Sequence, residues 1–305
     1  MRIHVCITHY SAEHSDTDNP IGNGSLRAGA QFQRSLSLSR CLQGLIAIQR
    51  QASIVSLNIH KRCIEHYPSN HEPLDIQITI CTDGSHQLDG VLSLFKSRTK
   101  QITLITENPR DLGLACRDHL LSNRSGADLL MYMEDDLVIN DPEFFDKQSW
   151  FLSKTNHQFC LMPHRYETIH AAGMHHLLVD GPLAPDFIKQ FTQPQRHIAQ
   201  GVYRGKENIY FDIPENPHSG CFVISSQQAE HLSQQNLPRD GFIGPLETAA
   251  TLTVLQHFPV MKTSMESWRF LEIEHAHQSF SGYINSMPHQ ILEISDGTTS
   301  SKEQI

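Results

Sequence analysis

Residues 128–136 read Asp128-Leu-Leu-Met-Tyr-Met133-Glu134-Asp135-Asp136, five apolar residues running directly into three carboxylates. An uninterrupted apolar run of this length, bounded by charge, predicts a strand buried on both faces. Three further strands lie upstream of it. Residues 3–8 place Ile3, Val5 and Ile7 at alternate positions, 74–81 alternate at period two before Thr82-Asp83-Gly84-Ser85, and 101–106 form a short run. Between them, Leu38, Leu42, Leu45, Ile46 and Ile48 fall at steps of three and four, which predicts an amphipathic helix over 35–51. That helix is expected to continue, broken, to Tyr67, where Pro68 stops it. Shorter helices are expected at 91–95 and 114–124. The Ser-, Asp-, Asn- and Gly-rich stretch 11–34 reads as a loop. Strands alternating with helices predict an α/β fold with a mostly parallel central sheet flanked by helices.

Beyond Asp136 the pattern loosens. Helices are expected at 142–152, 227–237 and 246–258, the last with Pro245 at its start. Strands are expected at 158–162, 175–179 and 221–225, and the polar end from Asp296 reads as a flexible tail over 296–305. The chain is thus expected to form one domain over 1–295, a regular half (1–140) joined to an irregular one (141–295).

Composition narrows the class. Of 305 residues, 39% are hydrophobic and 19% charged, a globular balance able to bury a core. The formal charge of −9 gives no basic footprint for nucleic acid or an anionic membrane surface. No run approaches the roughly 20 apolar residues of a membrane span, and the N-terminal run is too short for a signal peptide. Seven cysteines without a C-x-x-C pair argue against a disulfide scaffold and fit a reducing, cytoplasmic setting. Twenty histidines are the compositional oddity.

The chemistry centres on Glu134-Asp135-Asp136. Adjacent carboxylates repel, and a divalent cation with a taste for hard oxygen ligands, Mg²⁺ or Mn²⁺, relieves them. In open α/β sheets the C-terminal ends of strands face the ligand crevice. Alternation puts Glu134 and Asp136 on one side and Asp135 on the other. The plainer alternative is a solvated acidic turn.

A strand ending in Glu-Asp-Asp resembles the D-x-D metal motif of GT-A glycosyltransferases, in an E-D-D variant. Other pieces follow in the right order for family 2 members. Ile7-Thr8-His9-Tyr10 is similar to the strand end that receives the nucleotide, Thr82-Asp83-Gly84-Ser85 resembles the base-contacting turn, and 112–118 (Leu-Gly-Leu-Ala-Cys-Arg117-Asp118) resembles the Gly-x-x-x-Ala-Arg-Asn stretch. The likeness covers residues 1–140. The first strand lacks the usual Pro, Asp83 has no second Asp, and Asp118 replaces Asn.

The resemblance implies a GT-A-like, Rossmann-like fold with an acceptor-binding C-terminal half. It implies a metal-dependent transferase moving a sugar from a UDP- or GDP-sugar to a carbohydrate or other hydroxyl acceptor. Asp136 would hold Mn²⁺ or Mg²⁺. Asp135 or Glu134 would touch ribose or sugar, with Thr8, Tyr10, Asp83 and Arg117 around the nucleotide. Glu247 at a helix start would be the base, and displacement would invert. Its alternative role is to complement the helix dipole. His275 and His277, alternating on an expected strand, would complete the metal shell; otherwise they are edge-strand histidines. Asp83 is equally a turn residue, and Arg117 equally a surface charge. His164-Arg165-Tyr166-Glu167 offers a cation for the diphosphate or, the preferred reading, a surface Arg–Glu pair, and Gly220 marks either a place where substrate nears the backbone or a plain turn before a strand. A nucleotidyltransferase is the rival enzyme, with 22–34 (GNGSLRAGAQFQR) a poor match to its Gly-rich signature. A catalytically inactive carbohydrate-binding protein is the rival outside catalysis.

Overall fold

The computed structural model describes residues 1–12, 30–171, 174–205, 207–277 and 279–282. The expected tail at 296–305 and most of the expected loop at 11–34 lie outside them.

Strand β1 (Arg2–Thr8) leads to helix α1 (Ala30–Ala47), then to β2 (Ser53–Asn58) and β3 (Cys63–Pro68). There follow β4 (Asp75–Thr82), α2 (Asp89–Phe95), β5 (Lys100–Thr103), α3 (Leu112–Ser122) and β6 (Leu129–Glu134). The second half comprises β7 (Leu137–Val138), α4 (Phe144–Lys154), β8 (Cys160–Leu161), β9 (His164–Ala171), β10 (Met174–Leu178) and α5 (Pro185–Ile188). It continues with β11 (Gln195–Val202), β12 (Asn208–Ile213), β13 (Cys221–Ser225), α6 (Ser226–Ser233), β14 (Val260–Thr263) and β15 (Glu272–His275). A helical run over 245–255 precedes β14, its middle turn (Thr248–Leu252) widened to a π-helix.

The central sheet has the order β13-β6-β1-β4-β5. β6, β1, β4 and β5 are mutually parallel, and β13 runs antiparallel to β6. Alternation divides its side chains between two layers. Ile3, Val5, Ile7, Ile78, Met131 and Met133 pack with Leu38, Leu42 and Leu45 of α1. Cys6, Cys81, Leu130, Tyr132 and Phe222 pack on the opposite face with Leu114, Cys116 and Leu120 of α3 and Leu232 of α6. Both faces are dry, which is why the strands read as apolar runs.

Residues 53–68 correct an expectation. They do not prolong α1 but form the β2–β3 hairpin, with Ile54 opposite Tyr67 and Leu57 opposite Ile64. Its apolar residues stay exposed, so no packed face exists to enforce a helical period, and β-branched Ile54 and Val55 favour the extended chain. The hairpin closes at its base, where Ser69 N donates to Ala52 O at 3.0 Å and Arg50 bridges Leu74. The C-terminal half is also more regular than expected. It builds two four-stranded sheets, β10-β9-β15-β7 and β11-β12-β14-β8.

Candidate functional site

β1, β4 and β6 end side by side. Thr8 lies level with Cys81 on one side and Glu134 on the other. The acidic triplet is the turn from β6 into β7, and so joins the central sheet to the sheet of β7, β15 and β9. It is buried, not solvated: Glu134, Asp135 and Asp136 are 8%, 5% and 8% exposed. Carboxylates removed from water need internal partners, and each has a different set.

Asp135 faces β1 and α1. His9 Nδ1 lies 2.5 Å from its Oδ2, and Arg34 NH2 donates to both oxygens at 2.6 and 2.7 Å. His9 is held in turn by Leu88 N on its Nε2 at 3.1 Å. Arg34 NH1 also reaches Asp136 Oδ2 at 3.2 Å, so one guanidinium clamps two of the three acids.

Asp136 faces β15. The pairing of His275 with Leu137, and the 2.8 Å bond from Ala276 N to Asp136 O, set the imidazole beside the carboxylate. His275 Nε2 lies 3.6 Å from Asp136 Oδ2, and its Nδ1 lies 2.8 Å from Glu167 Oε1. Burial disfavours the imidazolium, but Asp136 and Glu167 outweigh it and raise His275 to about 9. Asp136 itself is held below the usual carboxylate range: burial works against this, and His275 and Arg34 prevail. Its Oδ1 is buried without a hydrogen-bond partner.

Glu134 faces the loop before β13. Burial and the nearby Asp136 push its carboxyl up to about 8. Among the described residues its nearest cation is Arg165, 3.9 Å away, and Oε1 has no hydrogen-bond partner. Gly220, at φ +65°, holds the backbone against it: a Cβ there would stand 3.1 Å from Glu134 Cδ. The close approach that this glycine permits in the structure is to Glu134.

Arg165 and Glu167 are not the surface pair expected from sequence. They share one face of β9 and are 7% and 0% exposed. Arg165 bonds Asp180 at 2.8 Å, Lys262 Nζ lies 3.3 Å from the same carboxylate, and Lys262 also donates to His218 O at 2.6 Å. Glu167 accepts from the backbone N–H groups of Ser279, Phe280 and Ser281 as well as from His275.

The other expected residues divide. Tyr10 and Asp83 meet beyond β1 and β4 through His86, whose ring is 5.0 Å from Tyr10 and 2.7 Å from Asp83 Oδ2. Asp83 Oδ1 accepts from Ser85 N and His86 N, as a turn aspartate does, and despite burial these bonds hold its carboxyl below the ordinary value. Glu247 sits in the first turn of the helical run, folded over Gly244, and its charge reaches Glu134. Arg117 is neither a surface charge nor part of the acidic turn. At 1% exposure it donates to Pro238 O, Thr253 Oγ1 and Asp118, and so ties α3 to the segment around 238–253. β15 ends at His275, so strand alternation does not carry His277 onto the same face.

The strand end and His275 were marked by sequence, but the partners of Asp135 were not. Arg34 lies at the end of the glycine-rich stretch 22–34, whose glycines fall outside the described residues. His9 sits in a stretch that sequence had singled out, at a position given no role, and Glu167 was read only as half of a surface pair. Nothing local distinguishes Asp180 or Lys262, because their partners lie 15 and 82 positions away.

Among the described residues, no group of three or more His, Cys, Asp and Glu side chains is arranged to hold a metal ion. No helix among them is long and apolar enough to cross a membrane. No known family profile matches the chain, and no curated protein matches it. Among solved structures, the chain is similar to S. aureus TarS at 10% identity, with 90% of this chain and 36% of that one covered and a TM-score of 0.45. It is similar to GalNAc-T7 with UDP, GalNAc and Mn2+ at 14% identity, covering 90% and 43%, with a TM-score of 0.43. A TarS fragment in complex with UDP-GlcNAc is similar at 10% identity, covering 92% and 61%, with a TM-score of 0.43. The chain thus spans about a third to three fifths of the length of these proteins.

Proposed function

We propose that the chain is a nucleotide-sugar-dependent glycosyltransferase whose donor site is the C-terminal edge of β4, β1 and β6. The observation that carries this reading is the buried acidic turn at the end of parallel β6, with His275 Nε2 brought to 3.6 Å from Asp136. The donor atoms present suit a divalent cation: a carboxylate oxygen without a partner on Asp136, and an imidazole whose far nitrogen is fixed by Glu167, the arrangement of a metal-binding histidine. Asp136 and His275 would hold Mn²⁺ or Mg²⁺. Bound there, the cation supplies Lewis-acid stabilisation of the departing diphosphate.

The chain's own residues do the rest. Asp135, locked by His9 and Arg34, fixes the shape of the turn. Glu134 contacts a sugar or ribose hydroxyl. Thr8, Tyr10 and Asp83 line the neighbouring strand ends for the nucleotide, whether UDP or GDP. Glu247 accepts the proton of the acceptor hydroxyl as its oxygen attacks the anomeric carbon, which inverts that centre. Arg117, committed elsewhere, is not assigned to this site.

Thermal shift with UDP-, GDP-, CMP- and dTDP-sugars, each with and without Mn²⁺, tests this. The expected result is stabilisation by one nucleotide class that depends on Mn²⁺ and disappears in Asp136→Ala. Stabilisation that persists in Asp136→Ala, or no response to any donor, overturns it.

A further inference from the structure

Alternation along β9 turns Glu167 inward, where it is 0% exposed, and its carboxylate gathers donors from two separate parts of the chain. Oε1 takes His275 Nδ1 at 2.8 Å, Ser279 N at 2.9 Å and Phe280 N at 3.0 Å, and Oε2 takes Ser281 N at 2.7 Å. Backbone N–H groups only donate, so both oxygens are acceptors and Nδ1 carries the hydrogen. That leaves Nε2 as the ring nitrogen turned to Asp136, 3.6 Å away. One oxygen thus serves both the histidine beside the acidic turn and the backbone of 279–282. Ring packing joins the same two parts a second time. The Phe280 ring lies 5.6 Å from the His275 ring, and its centroid lies 5.8 Å from the guanidinium carbon of Arg165.

We propose that Glu167 is a positioning residue that couples cation occupancy at Asp136 and His275 to the seating of residues 279–282, an inference that rests on the cation site proposed above. The argument concerns freedom of motion. Hydrogen-bonded at Nδ1 alone, the imidazole is fixed at one end. With a divalent cation on Nε2 both ends are fixed, and Oε1 is held at the point where Ser279 N and Phe280 N meet it. The backbone of 279–281 then gives up less entropy on docking, and Phe280 packs on a ring that no longer turns. Coupling between two binding events is reciprocal, so a seated segment strengthens cation binding by the same factor. Glu167 touches neither cation nor substrate and acts through His275.

Mn²⁺ alone is the probe, applied to the folded full chain. Binding is read from the signal of free Mn²⁺ in electron paramagnetic resonance, and seating from hydrogen exchange of the amides of 279–281. In the parent, saturating Mn²⁺ should slow that exchange several-fold. Glu167→Gln keeps the size of the side chain but loses its charge. It should bind Mn²⁺ about 10–100-fold more weakly, as loss of a metal-binding histidine's outer partner does, and its exchange should no longer respond to Mn²⁺. Ser281→Pro removes one N–H from Glu167 and leaves His275 untouched, yet it too should weaken Mn²⁺ binding.

Two results overturn the coupling while leaving the cation site intact. One is Mn²⁺ bound by the parent with exchange at 279–281 unchanged; the other is parental Mn²⁺ affinity in Ser281→Pro. Either would make Glu167 a static anchor of the segment. A parent chain that binds no Mn²⁺ removes the cation site and this inference together.

Discussion

Asp135 accepts on both oxygens from one nitrogen of Arg34 and on Oδ2 from His9, all three side chains nearly excluded from water. Removing one member of such a cluster leaves the other charges buried without compensation. Asp135→Ala should therefore cost about 3–5 kcal/mol, read from denaturant unfolding. A loss below about 1 kcal/mol, the usual range for exposed pairs, would show that Arg34 finds water or Asp136 instead. Sequence announced the three acids at this strand end, because a buried run that stops at charge is a local signal. It named His275 but gave no role to Arg34, which lies 101 positions from Asp135, and no link to His275 for Glu167, which lies 108 positions away. Arg117 shows the converse. Its motif suggested a ligand contact, yet the side chain points into the core and bonds a proline carbonyl.

The elements that were legible are those with one repeating period. β1, β4, β6 and α3 fall within two residues of where alternation and helical spacing put them. β9, β11 and β12 were missed: β9 turns inward an arginine and a glutamate, and β11 leaves nearly all of its residues exposed, so neither shows an apolar period. The junction of β6 and β13 makes the sharpest test of an element. Gly220 precedes β13 with φ +65°, and Glu134 N donates to its carbonyl at 3.0 Å. Gly220→Ala meets both a left-handed backbone and a crowded Glu134. A loss of about 1–3 kcal/mol is expected, along with weaker donor binding if Glu134 is displaced. Unchanged unfolding midpoints would mean that this loop yields easily.

Across the whole molecule, two buried histidines make stability sensitive to acid. Burial, with Arg165 nearby, lowers His218 to about 3; burial, with Lys262 nearby, lowers His164 to about 4. In the unfolded chain both titrate near the ordinary value of about 6.5. Below that pH the unfolded state binds more protons, so the stabilisation that these groups give above 6.5 is lost as pH falls toward 4. Denaturant midpoints at about pH 7.5 and 5 should fall with acid, and the slope should flatten in a variant carrying His164→Gln and His218→Gln. Equal slopes in parent and variant would place the acid sensitivity elsewhere.

The β2–β3 hairpin has a base already tied shut at Ala52–Ser69 and Arg50–Leu74, and Arg50 is clamped to Asp146 of α4 at 2.7 and 2.9 Å. Replacing residues 53–68 by a short Gly-Ser turn should leave the unfolding midpoint nearly unchanged. A molten product would show that the hairpin supports the sheet. To a chain searching for its fold, such a base acts as a shortcut. Once closed, it brings α1 and β4 as near along the path as if the excursion were absent, so the loop entropy between them grows only slowly with its length. The ribbon can thus be lengthened, re-sequenced or worn away over evolutionary time, while the β1–α1–β4 crossover that builds the strand-end crevice assembles at nearly the same pace.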